Sequence, residues 1–271
     1  MSGLSIPNFN DPSQRLNSRF LPTASPSKHV VVLLHAFPFS SAMWHRMAEC
    51  LQTLRDDTAI LLVDFPCFGS SAFRPQWDFS SFALELRGVI EHHTRKPVTI
   101  AGLSMGGYAT FEFYRVNSDM VRALVLSNTR AEADSEKEKL NRAVFAEEAI
   151  ARGSEVAIER LYANFVTPET DLIIAEDIRS WMLEADPVAI ATALKAMAAR
   201  RDSSALLPAI RIPSLVIASD RDRVTRTTMM KKMSRELANS SFVEINGAAH
   251  LSAIEKPHEW AAALSNFLDR V

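Results

Sequence analysis

Six short apolar runs, at residues 30–34, 59–63, 98–101, 123–126, 215–218 and 242–245, recur along the chain without in–out alternation. Continuous β-branched or Leu-rich runs of this length are what strands covered on both faces look like. Helical patterns occupy residues 80–94, 104–117, 226–238 and 257–270 between them. Strand alternating with helix predicts an α/β fold, a mostly parallel sheet flanked by helices.

One interval breaks this rhythm. From 129 to 207 no strand-like run occurs, and the segment is rich in Ala, Glu, Leu and Arg, with breaks at Gly153, Pro168 and Pro187. Asp134 or Ser135, Ser154, Thr170, and Asp186 before Pro187 are suited to cap four successive helices. The expected organisation is a core of residues 1–128 and 209–271, with a helical cap, or lid, at 129–208. The first 29 residues hold much Pro, Ser and Asn and only scattered apolar positions, which suggests a loosely structured lead-in.

Charge excludes some partners. Thirty Lys and Arg stand against 32 Asp and Glu with no long basic block, so no nucleic acid partner is expected. The apolar runs fall far short of the roughly 20 residues that cross a bilayer. No membrane span is expected, and the absence of a leader pattern in the first 25 residues makes the cytoplasm the expected location. Cys50 and Cys67, with seven His at unsuitable spacings, predict two reduced, buried thiols, no metal and no cofactor.

The chain has only 8 Gly in 271 residues, yet three of them fall in one place, Gly102, Gly106 and Gly107. There VTIAGLSMGG reads as a strand turning sharply through Ser104 into a helix. Side chains two residues either side of such a turn would clash, which accounts for Gly102 and Gly106. A serine hydroxyl is a poor nucleophile at neutral pH and needs a base held by a carboxylate. His250 lies in the loop after the last apolar run, at the same sheet edge as Ser104. His92 and His93 sit on a helix, His45 on an early helix, and His29 and His258 at solvated positions, while His35 suits packing or hydrogen bonding. The loop after 214–219 offers two carboxylates, Asp220 and Asp222. Asp64, in a turn shaped by Pro66 and Gly69, is suited to fixing backbone N–H groups, and Arg130 reads as solvated charge ahead of a substrate-carboxylate partner.

Five segments, GLSMGG, HAFPFSSAMW at 35–44, DFPCFGSS at 64–71, SDRDRV at 219–224 and NGAAHL at 246–251, together resemble the α/β-hydrolase superfamily. The likeness covers about residues 30–271 and looks nearest to small esterases and lactonases of the 3-oxoadipate enol-lactonase and carboxylesterase kind. It implies an α/β-hydrolase sheet with Ser104 as nucleophile, His250 as base and Asp222 as acid, since the family's acid stands three residues after a small strand-ending residue, here Ser219. It further implies an oxyanion hole from the backbone N–H groups of Met105 and Phe37, with Ala36 where the family usually has Gly. Phe39, Trp44, Phe145, Phe165 and Trp181 are the candidates for an apolar pocket. The two antiparallel strands that open many members are not evident in residues 1–29. The implied activity is a serine hydrolase that cleaves a small-molecule carboxylic ester or lactone through an acyl-enzyme, in a monomer or homodimer. The alternatives are amide or C–C bond hydrolysis, cofactor-free perhydrolysis, or a ligand sensor with little turnover.

Overall fold

The computed structural model describes residues 16–23 and 27–271. Its strands are β1 (Ser18–Leu21), β2 (His29–Leu34), β3 (Thr58–Val63), β4 (Val98–Leu103), β5 (Val121–Ser127), β6 (Ser214–Ser219) and β7 (Ser240–Ile245). They form one sheet in the order β1-β3-β2-β4-β5-β6-β7. Every neighbouring pair is parallel except β1 with β3, which is antiparallel. The α/β fold expected from the apolar runs is present. All six residues of β3, β4 and β6 are buried, as strands covered on both faces must be.

The helices are α1 (His45–Leu54), α2 (Phe79–His93), α3 (Met105–Asn117), α4 (Glu136–Arg152), α5 (Glu155–Ala157), α6 (Ala163–Phe165), α7 (Leu172–Glu184), α8 (Pro187–Ala198), α9 (Thr227–Glu236), α10 (Ser252–Glu255) and α11 (Pro257–Leu268). A π turn, Ile158–Tyr162, joins α5 to α6. α1 packs on α11 and α2 on α3, while α3 lies along β2, β4 and β5. β5 and β6 are direct neighbours in the sheet, so α4 to α8 form an excursion between them. α4 buries Phe145, Ala146 and Ala149, and α8 buries Ala189, Ile190 and Ala193, where the two helices pack together. No described helix is long and apolar enough to cross a membrane.

Local sequence explains four of the helix starts, those of α2, α4, α7 and α8. Ser135 and Glu138 form a reciprocal cap on α4, and Asp186 accepts from the Val188 and Ala189 N–H groups ahead of Pro187. Two expected caps differ. Asp171, not Thr170, caps α7, because the Thr170 hydroxyl is committed to Glu255; the Ser154 hydroxyl donates to the Leu183 carbonyl.

The lead-in reading is corrected where it can be seen: Ser18–Leu21 is a strand paired with Val63 to Ile60. Residues 1–15 and 24–26, the rest of that expectation, lie outside the described residues. His29 is buried, not solvated, because β2 places it beside Thr58 within the sheet. Cys50 and Cys67 are free thiols but only half-buried.

Register sets the position of the functional loops. Leu34 pairs with Val63 on one side and Gly102 on the other, and Gly102 pairs with Leu126. The segments that follow these residues therefore emerge together at the carboxyl edge of the sheet, as do those after Ser219 and Ile245.

Candidate active site

Ser104 stands between β4 and α3 with φ 55° and ψ −110°, backbone that an L residue adopts only under strain. The surrounding bonds hold it there: its N–H donates to the Ser127 carbonyl at 2.9 Å, and its own carbonyl accepts the Thr129 hydroxyl at 2.8 Å. A Cβ on Gly102 would overlap the Gly106 backbone, and one on Gly106 would overlap the Leu34 carbonyl. The turn is thus possible only because both positions lack a side chain. Ser104 is partly exposed at the start of α3.

The loop after β7 carries His250, and the loop after β6 carries Asp222; both side chains are buried. His250 Nδ1 donates to Asp222 Oδ2 at 2.8 Å, which leaves Nε2 with the lone pair. Asp220 is not the partner. Its carboxylate accepts the Gly247 N–H at 2.7 Å and so ties the two loops together. Burial alone would push the Asp222 carboxyl up, but the charge of His250 and hydrogen bonds from His250, Thr225 and Asn128 outweigh it and bring it down to about 2. Asp222 is therefore ionised at neutral pH. Ser104 shares the carboxyl edge with this pair, but no hydrogen bond joins its hydroxyl to His250 in this structure. Such bonds are often long or misaligned until a substrate is in place.

Among the described residues, the backbone N–H groups of Met105 and Phe37 donate to no protein acceptor. Positive φ outside glycine occurs only at Cys67, Ser104 and Asn128 among the described residues, so Ala36 occupies backbone open to any L residue and the missing glycine is no steric obstacle. The same loop is fixed from beneath. His35 Nδ1 donates to the Ala36 carbonyl, and Nε2 accepts the Phe65 N–H at 3.0 Å, an arrangement that needs neutral imidazole. Burial drives His35 toward that neutral form. Asp64 accepts from the Ser41 and Ser70 N–H groups and from Asn17, pinning 41 and 70 to one carboxylate.

Two aromatic groups border the site. Phe165 stacks on the His250 ring at 5.5 Å and touches Phe39 at 5.8 Å; Phe37 meets Phe145 at 6.1 Å and Phe68 at 6.4 Å. Trp181 lines a cavity of about 260 Å³ with Pro38, Phe39, Cys67, Phe68 and Glu184. Trp44 joins neither group. It has no exposed surface and packs edge-on against Trp260 in the core. Arg130 is not solvated: it pairs with Asp134 at 2.5 Å and Glu138 at 2.7 Å.

Two residues at the site are not among those expected from the sequence. Asn128, buried with φ 44°, donates to Asp222 Oδ2 and Ser219 Oγ and accepts from Ser252. Glu255 accepts from the Ala249 N–H next to His250. Asn128 directly follows a strand, the one hint available; Glu255 falls between His250 and the helix expected at 257–270, and nothing in the sequence marks it.

A sequence model described as the alpha/beta hydrolase family matches residues 31–263. A Mycobacterium tuberculosis protein provisionally named a non-heme bromoperoxidase is 27% identical over 187 residues, which cover 65% of this chain and 69% of that protein. Among solved structures, a thermophilic esterase from Thermogutta terrifontis, in malate-bound form, is 31% identical with a TM-score of 0.88, over 94% of this chain and 93% of the other. The enol-lactonase from Burkholderia xenovorans has the same fold at a TM-score of 0.83 and 22% identity, over 94% of this chain and 96% of the other.

Proposed function

The chain belongs to the alpha/beta hydrolase family, and from that premise we propose that it is a serine hydrolase cleaving a carboxylic ester or lactone through an acyl-enzyme on Ser104. In this reading Ser104 Oγ attacks the substrate carbonyl while His250 Nε2 takes its proton. Asp222 keeps the imidazole in the Nδ1–H tautomer and stabilises the imidazolium that forms. The Met105 and Phe37 N–H groups receive the developing oxyanion, each donor contributing on the order of 10²–10³ in rate. His250 then protonates the departing alkoxide, and water, activated by the same imidazole, releases the acid. In a lactone the alcohol stays attached to the acid, so one product leaves in place of two.

The observation that carries this reading is the buried 2.8 Å contact between His250 Nδ1 and Asp222, facing the same sheet edge as a serine in strained backbone. Residues 129–208 are taken as the lid over that edge, with Phe145, Phe165 and Trp181 on its underside and Phe39 on the core. The ion pairs of Arg130 favour an uncharged acyl group over a dicarboxylic lactone, since they consume the cation such a lactone would use.

Ser104→Ala tests the reading. It should lower kcat on p-nitrophenyl acetate or butyrate by about 10⁴-fold or more, abolish labelling by a fluorophosphonate, and leave the circular dichroism spectrum unchanged. Hydrolysis at the wild-type rate by a folded Ser104→Ala protein refutes it. A panel of aryl esters and lactones then separates the two substrate classes.

A second reading follows from the name carried by the Mycobacterium tuberculosis relative. The same acyl-enzyme passed to hydrogen peroxide in place of water gives a peracid, which oxidises halide with no cofactor. Peracid formation from a short carboxylic acid and peroxide, lost in Ser104→Ala, would support it; its absence in an active esterase excludes it.

A further inference from the structure

Glu255 ends the short helix α10, five residues beyond His250, and its side chain is buried. One oxygen accepts the Ala249 N–H at 2.8 Å and the other accepts the Thr170 hydroxyl at 2.9 Å. Among the described residues it forms no ion pair. Burial pushes its carboxyl up, so this is an acid kept at a desolvation cost for two neutral donors. A buried carboxylate in that position needs a reason beyond stability, which an apolar side chain would serve better.

Its two donors belong to different parts of the chain. Ala249 precedes His250 in the core loop, whereas Thr170 lies in the excursion between β5 and β6. Thr170 is itself held in a tight turn, accepting the Thr167 N–H at 2.8 Å on the same oxygen that donates to Glu255. The neighbouring residues of that segment reach the same two loops. Phe165 stacks on the His250 ring, and Glu169 pairs with Arg221, next to Asp222. The Arg221 N–H in turn donates to the Ala248 carbonyl at 3.2 Å. Segment 165–170 is thus joined to the His250 loop by a ring face and a carboxylate, and to the Asp222 loop by an ion pair.

We propose that Glu255 is a positioning residue for the reaction assigned to Ser104: by holding the Ala249 N–H it fixes where the His250 backbone stands, and through Thr170 it makes that placement depend on segment 165–170 being seated. The inference rests on the reading of His250 as the base. Asp222 sets the rotation of the imidazole, but the distance from Nε2 to the Ser104 hydroxyl follows from the backbone that carries the ring. Displacement of a catalytic group by about 1 Å can cost about 10²-fold in rate. Such a residue affects the chemical step more than substrate binding, since it touches no substrate.

The test compares Glu255→Ala, Glu255→Gln and Thr170→Val with wild type and with Ser104→Ala, reading kcat, KM, the rate of fluorophosphonate labelling and the thermal midpoint. Glu255→Ala loses both acceptors and should lower kcat and labelling by about 30-fold or more, with KM within about 2-fold. Glu255→Gln keeps an oxygen for Ala249 and turns its amide toward Thr170 as a donor, and should recover most of that loss. Thr170→Val removes the bridge to the excursion, along with the acceptor of the Thr167 N–H, but leaves the Ala249 contact in place; it should lower kcat by about 3–10-fold without a matching fall in midpoint. Wild-type kcat in a folded Glu255→Ala protein overturns the proposal, and wild-type kcat in folded Thr170→Val overturns its dependence on segment 165–170. If Glu255→Ala does not fold, Gln and Val still decide: a Gln variant as stable as wild type but with kcat lost more than about 30-fold contradicts the acceptor role. Active Ser104→Ala would refute the underlying hydrolase reading; inactive Ser104→Ala beside fully active Glu255 variants would refute this proposal alone.

Discussion

The Asp222 carboxylate accepts five hydrogen bonds, from the Val224 and Thr225 N–H groups, the Thr225 hydroxyl, Asn128 Nδ2 and His250 Nδ1. This is why it stays charged while buried, and the sign of the resulting pH dependence is fixed. Its folded value of about 2 lies below the ordinary 3.8, so as pH falls the unfolded chain binds the proton first. Its contribution is fully present above about pH 4 and is lost as pH falls toward 2. It amounts to about 2 kcal/mol at pH 5 and about 1 kcal/mol at pH 3. The stability gap between wild type and Asp222→Asn, measured by guanidinium unfolding, should therefore close by about 1 kcal/mol from pH 5 to pH 3; a constant gap contradicts the assignment. Single residues also show how far the sequence could be read. The Asp222 and His250 pairing was accessible because each follows a strand in a recognisable motif. Asn128 and Glu255 were not, since a lone amide or carboxylate signals its hydrogen bonds only once the chain is folded. Trp44 was misplaced for the opposite reason: an aromatic at helical spacing suits a pocket or a core equally, and only packing against Trp260 decides.

At the scale of elements, what could be read from sequence was whatever repeats. β2 to β7 each carry an apolar run and fell within two residues of their expected bounds. β1 carries Ser-Arg-Phe-Leu, four residues at the sheet edge with only partial burial, and no periodic pattern can mark it. The end of β4 and start of α3 are defined by two glycines, and there the sequence has a steric meaning that substitution exposes. Gly106→Ala would drive its Cβ into the Leu34 carbonyl, so α3 must lift from β2 or β2 must shift. We expect a loss of about 3 kcal/mol or more, seen as a lowered thermal midpoint or insoluble protein. An Ala variant as stable as wild type would mean that α3 does not press on β2 as closely as the structure has it.

For the molecule as a whole, the question is what keeps the excursion between β5 and β6 in one place against the core. Segment 165–170 anchors its far end. The near end is gathered on Asp134, whose side chain has no exposed surface and is paired with Arg130, Arg142 and Arg200. Arg130 follows β5, Arg142 belongs to α4 and Arg200 lies just past α8, so one carboxylate joins the entry and exit of the excursion. Arg200 also covers the Tyr108 ring at 4.1 Å, which fastens this junction to α3 directly behind Ser104. Three guanidinium groups around one buried carboxylate form an arrangement that tolerates loss of the acid poorly, because Arg142 and Arg200 then stay desolvated without a counter-charge, while Arg130 keeps only Glu138. Asp134→Asn preserves shape and removes only the charge, and should destabilise by about 3–5 kcal/mol. The loss should be local in character. Amide hydrogens of α4 and α8 should exchange faster while those of β4 and β5 keep their protection, since the sheet retains all its own contacts. Faster exchange spread equally over sheet and excursion would mean that the two unfold as one unit, and that Asp134 supports the whole core in place of the junction.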